Sequence, residues 1–282
     1  MVENRPWLTV LAHAVLILGV LIVAFPIWMT FVASTHDRSA MMSGLAPLWP
    51  GEHFVENYAA VLEQGMRAAG TTAVSTMMWN SAIMALAIMA GKILISILSA
   101  FAIVYFRFPF RMLIFWMIFM TLMLPVEVRI VPTFKVVADL GMLNSYAGLT
   151  IPLIASATAT FLFRQFFLTV PDELLEAARV DGAGPMKFFR DILLPLSRTN
   201  IAALAVILFI YGWNQYLWPL LVTTDESYHT IVMGIQRMVA VADATPQWHL
   251  VMATAMLAML PPVLIVVAMQ RLFVKGLVET EK

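Results

Sequence analysis

Six stretches of 20 or more residues are almost wholly apolar: 8–34, 80–105, 112–134, 146–167, 200–223 and 250–273. A helix rises about 1.5 Å per residue, so about 20 apolar residues cross a bilayer core with every backbone N–H and C=O paired internally. The pattern predicts an all-α, polytopic membrane chain with six transmembrane helices. Composition agrees, with 61% hydrophobic and 12% charged residues and a mean hydropathy of +0.87. Water-facing chains carry about twice that charge. The first stretch is about twice as long as a secretory signal core of 7–15 residues and is read as a retained helix.

Other function classes fall away on composition. Net charge is zero, so no polyanion such as nucleic acid is implied as a partner. There is no cysteine, which removes disulfides, thiolate metal sites and thiol nucleophiles together. The five histidines are scattered singly, and no metal or other cofactor is expected in the chain. The pattern G-x-x-x-x-G-K-[ST] is absent, so no phosphate-cradling P-loop is present. No grouping of His, Asp, Ser or Glu suggests a catalytic centre, and the chain is not read as an enzyme.

Basic residues orient the spans, because cytoplasmic loops retain Lys and Arg. With a cytoplasmic N-terminus, eleven Lys and Arg lie in inner segments, against Arg38, Arg67, Lys135 and Arg237 outside. Both termini are therefore expected in the cytoplasm. The layout becomes a first helix (1–35), an outer loop (36–79), a membrane core (80–273) and a short inner tail (274–282). The outer loop carries turn signals at 46–51 and a potential surface helix at 56–64.

One inner loop, 168–199, is long for so economical a chain, and long loops are usually functional. Pro171 suits a first helical turn, with Asp172 and Glu173 complementing its positive end. Gly182 and Gly184 stop that helix, since glycine tolerates a left-handed cap. Pro185 opens a second helix over 186–193, which Pro195 ends. Leu174, Leu175 and Ala178 give one apolar side, and Phe188, Phe189 and Ile192 give another at helical spacing. Such faces suit a groove on a partner or the lipid headgroup layer, and periodicity alone does not choose.

The same loop carries a resemblance. Glu176, Ala177, Ala178, Gly182, Ile192, Leu194 and Pro195 match without a gap the EAA signature of ABC importer permeases. Residues 54–58 (Phe-Val-Glu-Asn-Tyr), 98–110 and 211–220 resemble the carbohydrate-type, binding-protein-dependent permeases. Residues 3–7, 121–129, 145–149 and 155–167 are similar to the branch that imports sn-glycerol-3-phosphate.

This resemblance implies a type I importer permease in a bacterial inner membrane. It implies a second homologous permease subunit, a dimer of nucleotide-binding ATPase subunits that hold ATP and Mg, and a periplasmic solute-binding protein. It makes Glu176, Ala177, Ala178, Asp181, Gly182, Phe188, Phe189 and Pro195 the ATPase-coupling residues. Glycerophosphodiesters are close alternatives as solute, and a sugar is the general one for the family. A secondary transporter is the rival from another class, but it has no use for the docking loop.

Ionisable groups within spans are costly and are candidates for function. Lys92 lies mid-way in the second stretch, and Glu127 and Arg129 in the outer half of the third. Lys92 and Glu127 fall within about one turn of the same depth and are expected to pair. Arg129, between Pro125 and Pro132, is then a candidate contact for an anionic solute, gripping phosphate bidentately; an arginine snorkelling to the interface is the alternative. Trp213, Asn214, Gln215 and Tyr216 form a further polar cluster, either bonding a neighbouring helix or lining the pore.

Overall fold

The computed structural model describes residues 6–42, 47–66, 69–121, 124, 126–240 and 246–279, and they contain helices and loops but no strand. The first helices are α1 (Pro6–Ser34), α2 (Arg38–Met42), α3 (Phe54–Gln64), α4 (Val74–Tyr105) and α5 (Arg111–Met120). Then come α6 (Val126–Asp139), α7 (Tyr146–Thr150), α8 (Ala157–Phe167), α9 (Asp172–Val180) and α10 (Pro185–Phe188). The last are α11 (Leu194–Leu196), α12 (Arg198–Trp213), α13 (Leu217–Val222), α14 (Ile231–Val239) and α15 (Trp248–Glu279).

Three helices are long and apolar enough to cross a membrane unbroken: Trp7–Ser34, Val74–Tyr105 and Trp248–Gln270. Two further spans expected as single helices are interrupted. Tyr146–Leu153 meets Ala157–Phe167 at 46°, where Ser156 ends the first piece and caps the second by accepting from the Ala159 N–H at 3.2 Å. The 200–223 stretch is interrupted after Trp213 and resumes as α13, whose first turn accommodates Pro219. The 112–134 stretch divides into α5 and α6. Pro125, between them, lies outside the described residues, and a residue preceding proline is driven out of the α conformation. By length and composition the described residues thus give three crossing helices, or up to five when each of two bent pairs, Tyr146–Leu153 with Ala157–Phe167 and Pro185–Leu196 with Arg198–Trp213, counts as one.

The chain forms two units, Met1–Ser75 with Gly234–Met259, and Thr76–Met233 with Leu260–Lys282. In the first, most of α1 is exposed along its length, as expected of a helix solvated by lipid. The segment that follows folds back on its end. Asn57 donates to the Ser34 and His36 carbonyls at 2.9 and 2.8 Å, and the Gly51 N–H donates to Thr35 Oγ1 at 2.7 Å. The surface helix expected at 56–64 is α3.

In the second unit, α4 is the central post. Its Met84 and Ile88 join Val137, Leu149, Trp218 and Val222 in one apolar cluster. Its Ile97, Ala100 and Phe101 join Ala159, Phe163, Phe167, Leu204 and Leu208 in another. Lys92 falls on α4 between the two. Helix contacts beside it are close. A Cβ on Gly91 would meet Ile154 Cγ2 at 2.6 Å, and one on Gly212 would meet Ala85 Cα at 2.8 Å. Small residues here allow backbones to approach as they do in membrane bundles.

Candidate functional site

The segment 172–196 is built around its turn. The helix α9 ends in a left-handed glycine, Gly182, at φ +72°. The Gly182 N–H donates to the Arg179 carbonyl at 3.0 Å, and the Ala183 N–H to the Ala178 carbonyl at 2.8 Å. This pair of bonds is a Schellman cap. A Cβ at Gly182 would meet nothing within 4 Å, so the glycine serves backbone conformation here and not clearance. Pro185 opens α10 as expected. Pro171 sits one residue earlier than expected, at the cap position before α9.

The second helix departs from expectation. Pro195 does not end it. The chain passes through a π-helical turn, Phe189–Leu193, and Pro195 lies in the first turn of α11, where its missing N–H leaves no helical bond unmade. The stop comes at Ser197, whose Oγ and N–H both donate to the Leu193 carbonyl, at 2.6 and 3.0 Å. There the segment turns by 71° into α12.

The apolar faces also point elsewhere than the sequence alone suggested. Ala178, Phe188 and Leu193 are buried in the α4–α8–α12 cluster, with Leu175, Phe189 and Ile192 packed against it. Phe188 meets Tyr105 edge-on at 5.2 Å between ring centroids, and Phe189 meets Phe101 at 4.8 Å. These side chains fill the chain's own interior, so they are not free for a partner's groove. The open surface includes Glu173, Leu174, Glu176, Ala177, Arg179, Val180, Asp181, Gly182, Met186 and Lys187, so Leu174 of the expected apolar side stays exposed. Helical spacing identifies an apolar side but does not say which body it faces.

The second site is a polar layer at mid-height of α4. Lys92 is only 7% exposed, and its Nζ lies 3.7 Å from the centroid of the Tyr211 ring. Two cavities adjoin it. One, of about 150 Å³, is lined by Lys92, Arg129, Thr133, Tyr211, Gln215 and Trp218 among others. The other, of about 560 Å³, again has Lys92, Arg129 and Tyr211, with Ser99, Thr121, Ser156 and Thr158. Among the described residues no carboxylate lines either. Local structure orients the lining. Trp218 Nε1 donates to the Gly148 carbonyl at 3.0 Å, and Thr133 Oγ1 donates to the Arg129 carbonyl at 2.7 Å. The break at Ser156 turns the first turn of α8 toward the larger cavity.

The expected Lys92–Glu127 pair falls on a side chain outside the described residues. Trp213 is buried, stacked on Phe209 at 5.8 Å. Asn214 and Tyr216 are exposed and line neither cavity; their neighbours Tyr211 and Gln215 do. Tyr211 escaped the sequence reading because a tyrosine in an apolar run signals nothing until a buried cation is found on its face. Another unforeseen feature is Asn80, which receives the Tyr146 hydroxyl at 2.7 Å and donates to the Ser227 and His229 carbonyls at 2.7 and 3.0 Å.

Residues 92–279 match the family described as binding-protein-dependent transport system inner membrane component. The chain belongs to this family. Other members agree over their full length. A Brucella melitensis protein named sn-glycerol-3-phosphate transport system permease protein UgpE is 62% identical over 282 residues, with both chains wholly covered. Proteins of the same name from Agrobacterium fabrum and Escherichia coli O157:H7 are 62% and 58% identical, again with both chains wholly covered. Among solved structures, a bacterial ABC transporter involved in the import of the acidic polysaccharide alginate superposes with a TM-score of 0.81. It covers 96% of this chain and 98% of its own at 19% identity, a likeness of fold. The chain is thus an all-helical membrane permease of an ABC transport system, a family whose members work with partner subunits.

Proposed function

We propose that this chain is a permease subunit of an ATP-driven importer of sn-glycerol-3-phosphate, in a bacterial inner membrane with both termini cytoplasmic. The observation that carries the reading is the end-to-end match, at 58–62% identity, to permeases named for that solute. A periplasmic binding protein delivers the solute, a second homologous permease completes the path, and separate subunits bind ATP with Mg. Six spans with 36–79 and 227–249 outside follow from the charge asymmetry.

The open face of α9 and the Gly182 turn receive the ATPase. Its movement passes inward because Phe188 and Phe189 are packed on Phe101 and Tyr105, so the loop and the end of α4 move together. The test is uptake of labelled glycerol phosphate by the reconstituted importer. Uptake is expected only with an active ATPase, and not with an ATPase-dead partner under a proton gradient. Uptake driven by the gradient alone would make the chain a secondary transporter, and uptake of maltose in place of glycerol phosphate would make the solute a sugar.

A further inference from the structure

Resting on that reading, we propose that Lys92 and Arg129 together form an anion site on the translocation path of this subunit, suited to a phosphate monoester. Both side chains line both cavities. Lys92 is almost fully buried on a helix that is otherwise apolar at this height, an environment that disfavours an uncompensated ammonium. Its described contact is the Tyr211 ring, which orients a cation but neutralises none of its charge. The rest of the lining offers hydroxyl and amide groups, from Ser99, Ser156 and Gln215, that can donate to phosphate oxygens.

The two cations rank the solutes. A phosphate monoester carries nearly two negative charges near neutral pH. A diester brings one, and a neutral sugar leaves both cations uncompensated. The site therefore favours the monoester over glycerophosphodiesters, and both over sugars.

The chain has no cysteine, so Thr158→Cys, in the larger cavity, supplies the one thiol of this subunit, whose labelling is followed on this subunit alone in the full importer in proteoliposomes. Relative to a free thiol, a negatively charged methanethiosulfonate should modify it about tenfold or more faster than a positively charged one. The double variant Lys92→Gln/Arg129→Gln should lose that preference. No preference in the parent, or the same preference without the two charges, would overturn the site.

In uptake assays Arg129→Gln should raise the apparent KM for glycerol phosphate about tenfold, with a smaller rise for a glycerophosphodiester. Arg129→Lys should recover part of the loss, which a purely structural role would not predict. An unchanged KM overturns the proposal as well. If the importer ignores glycerol phosphate yet the thiol shows the preference and its loss, the solute reading fails and the anion site stands.

Discussion

The two ends of one stretch of α4 solve opposite problems. Around Phe101 and Tyr105 the helix is wrapped in aromatic and aliphatic side chains contributed by the segment 172–196, α8 and α12. Around Lys92, nine residues away, two flanking chain breaks leave cavities lined by hydroxyl groups and charge. The first region is held by aromatic and aliphatic packing, as a joint that transmits force must be. The second is lined by cations, hydroxyls and an amide, as a passage for a polar solute must be. A permease thus keeps its stability and its chemistry in separate layers of the same helix.

This contrast can be broken most forcefully at Phe188. Truncating a buried aromatic costs about 3–5 kcal/mol, so Phe188→Ala should lower the detergent-solubilised protein's unfolding temperature and its yield. A variant with unchanged thermal stability would mean that the segment is only a docking surface. Gly212→Ala comes next. Its methyl would meet the Ala85 backbone at 2.8 Å, and overpacking costs about 1–3 kcal/mol. Thermal unfolding and uptake should both suffer, since α12 must move away from α4 beside Tyr211.

Gly182→Ala should cost about 1–2 kcal/mol, the penalty of a left-handed residue bearing a Cβ. Because nothing in this chain meets that Cβ, a loss of coupled ATPase activity beyond the stability cost would have to arise in the partner. Glu176→Lys sharpens the contrast with the smallest stability change, within about 0.5 kcal/mol for an exposed position. Uptake should nevertheless fall at least about tenfold, with protein level and unfolding temperature unaltered; normal uptake would remove Glu176 from the coupling surface.

Much of this was legible in the residues. Gly182 and Pro185 announced the turn and the helix restart, and the long apolar runs announced α1, α4 and α15. The breaks at 154–156 and 214–216 were not legible, because hydropathy averages over a window and a bent apolar segment scores like a straight one. Ser156 held the clue, as a capping residue ahead of a helical run. The inward direction of Phe188 and Phe189 was hidden because periodicity has no knowledge of neighbours. The meeting of Lys92 with Tyr211 joins residues far apart in sequence, through a helix contact set by Gly212 and Ala85. Arg129 was singled out on charge alone, but its company with Lys92 required the fold.

The helix α4 runs for 32 residues without an internal proline or a break, and this continuity has a thermodynamic consequence. If the segment packed near one end receives the ATPase, as proposed, a post that also carries the buried Lys92 at its middle cannot report in one direction only. Whatever preference the engaged ATPase imposes on the setting of Lys92, an anion held there must impose, by the same factor, on the engagement of the ATPase. Occupancy of the passage and posture of the motor are then two readings of one equilibrium.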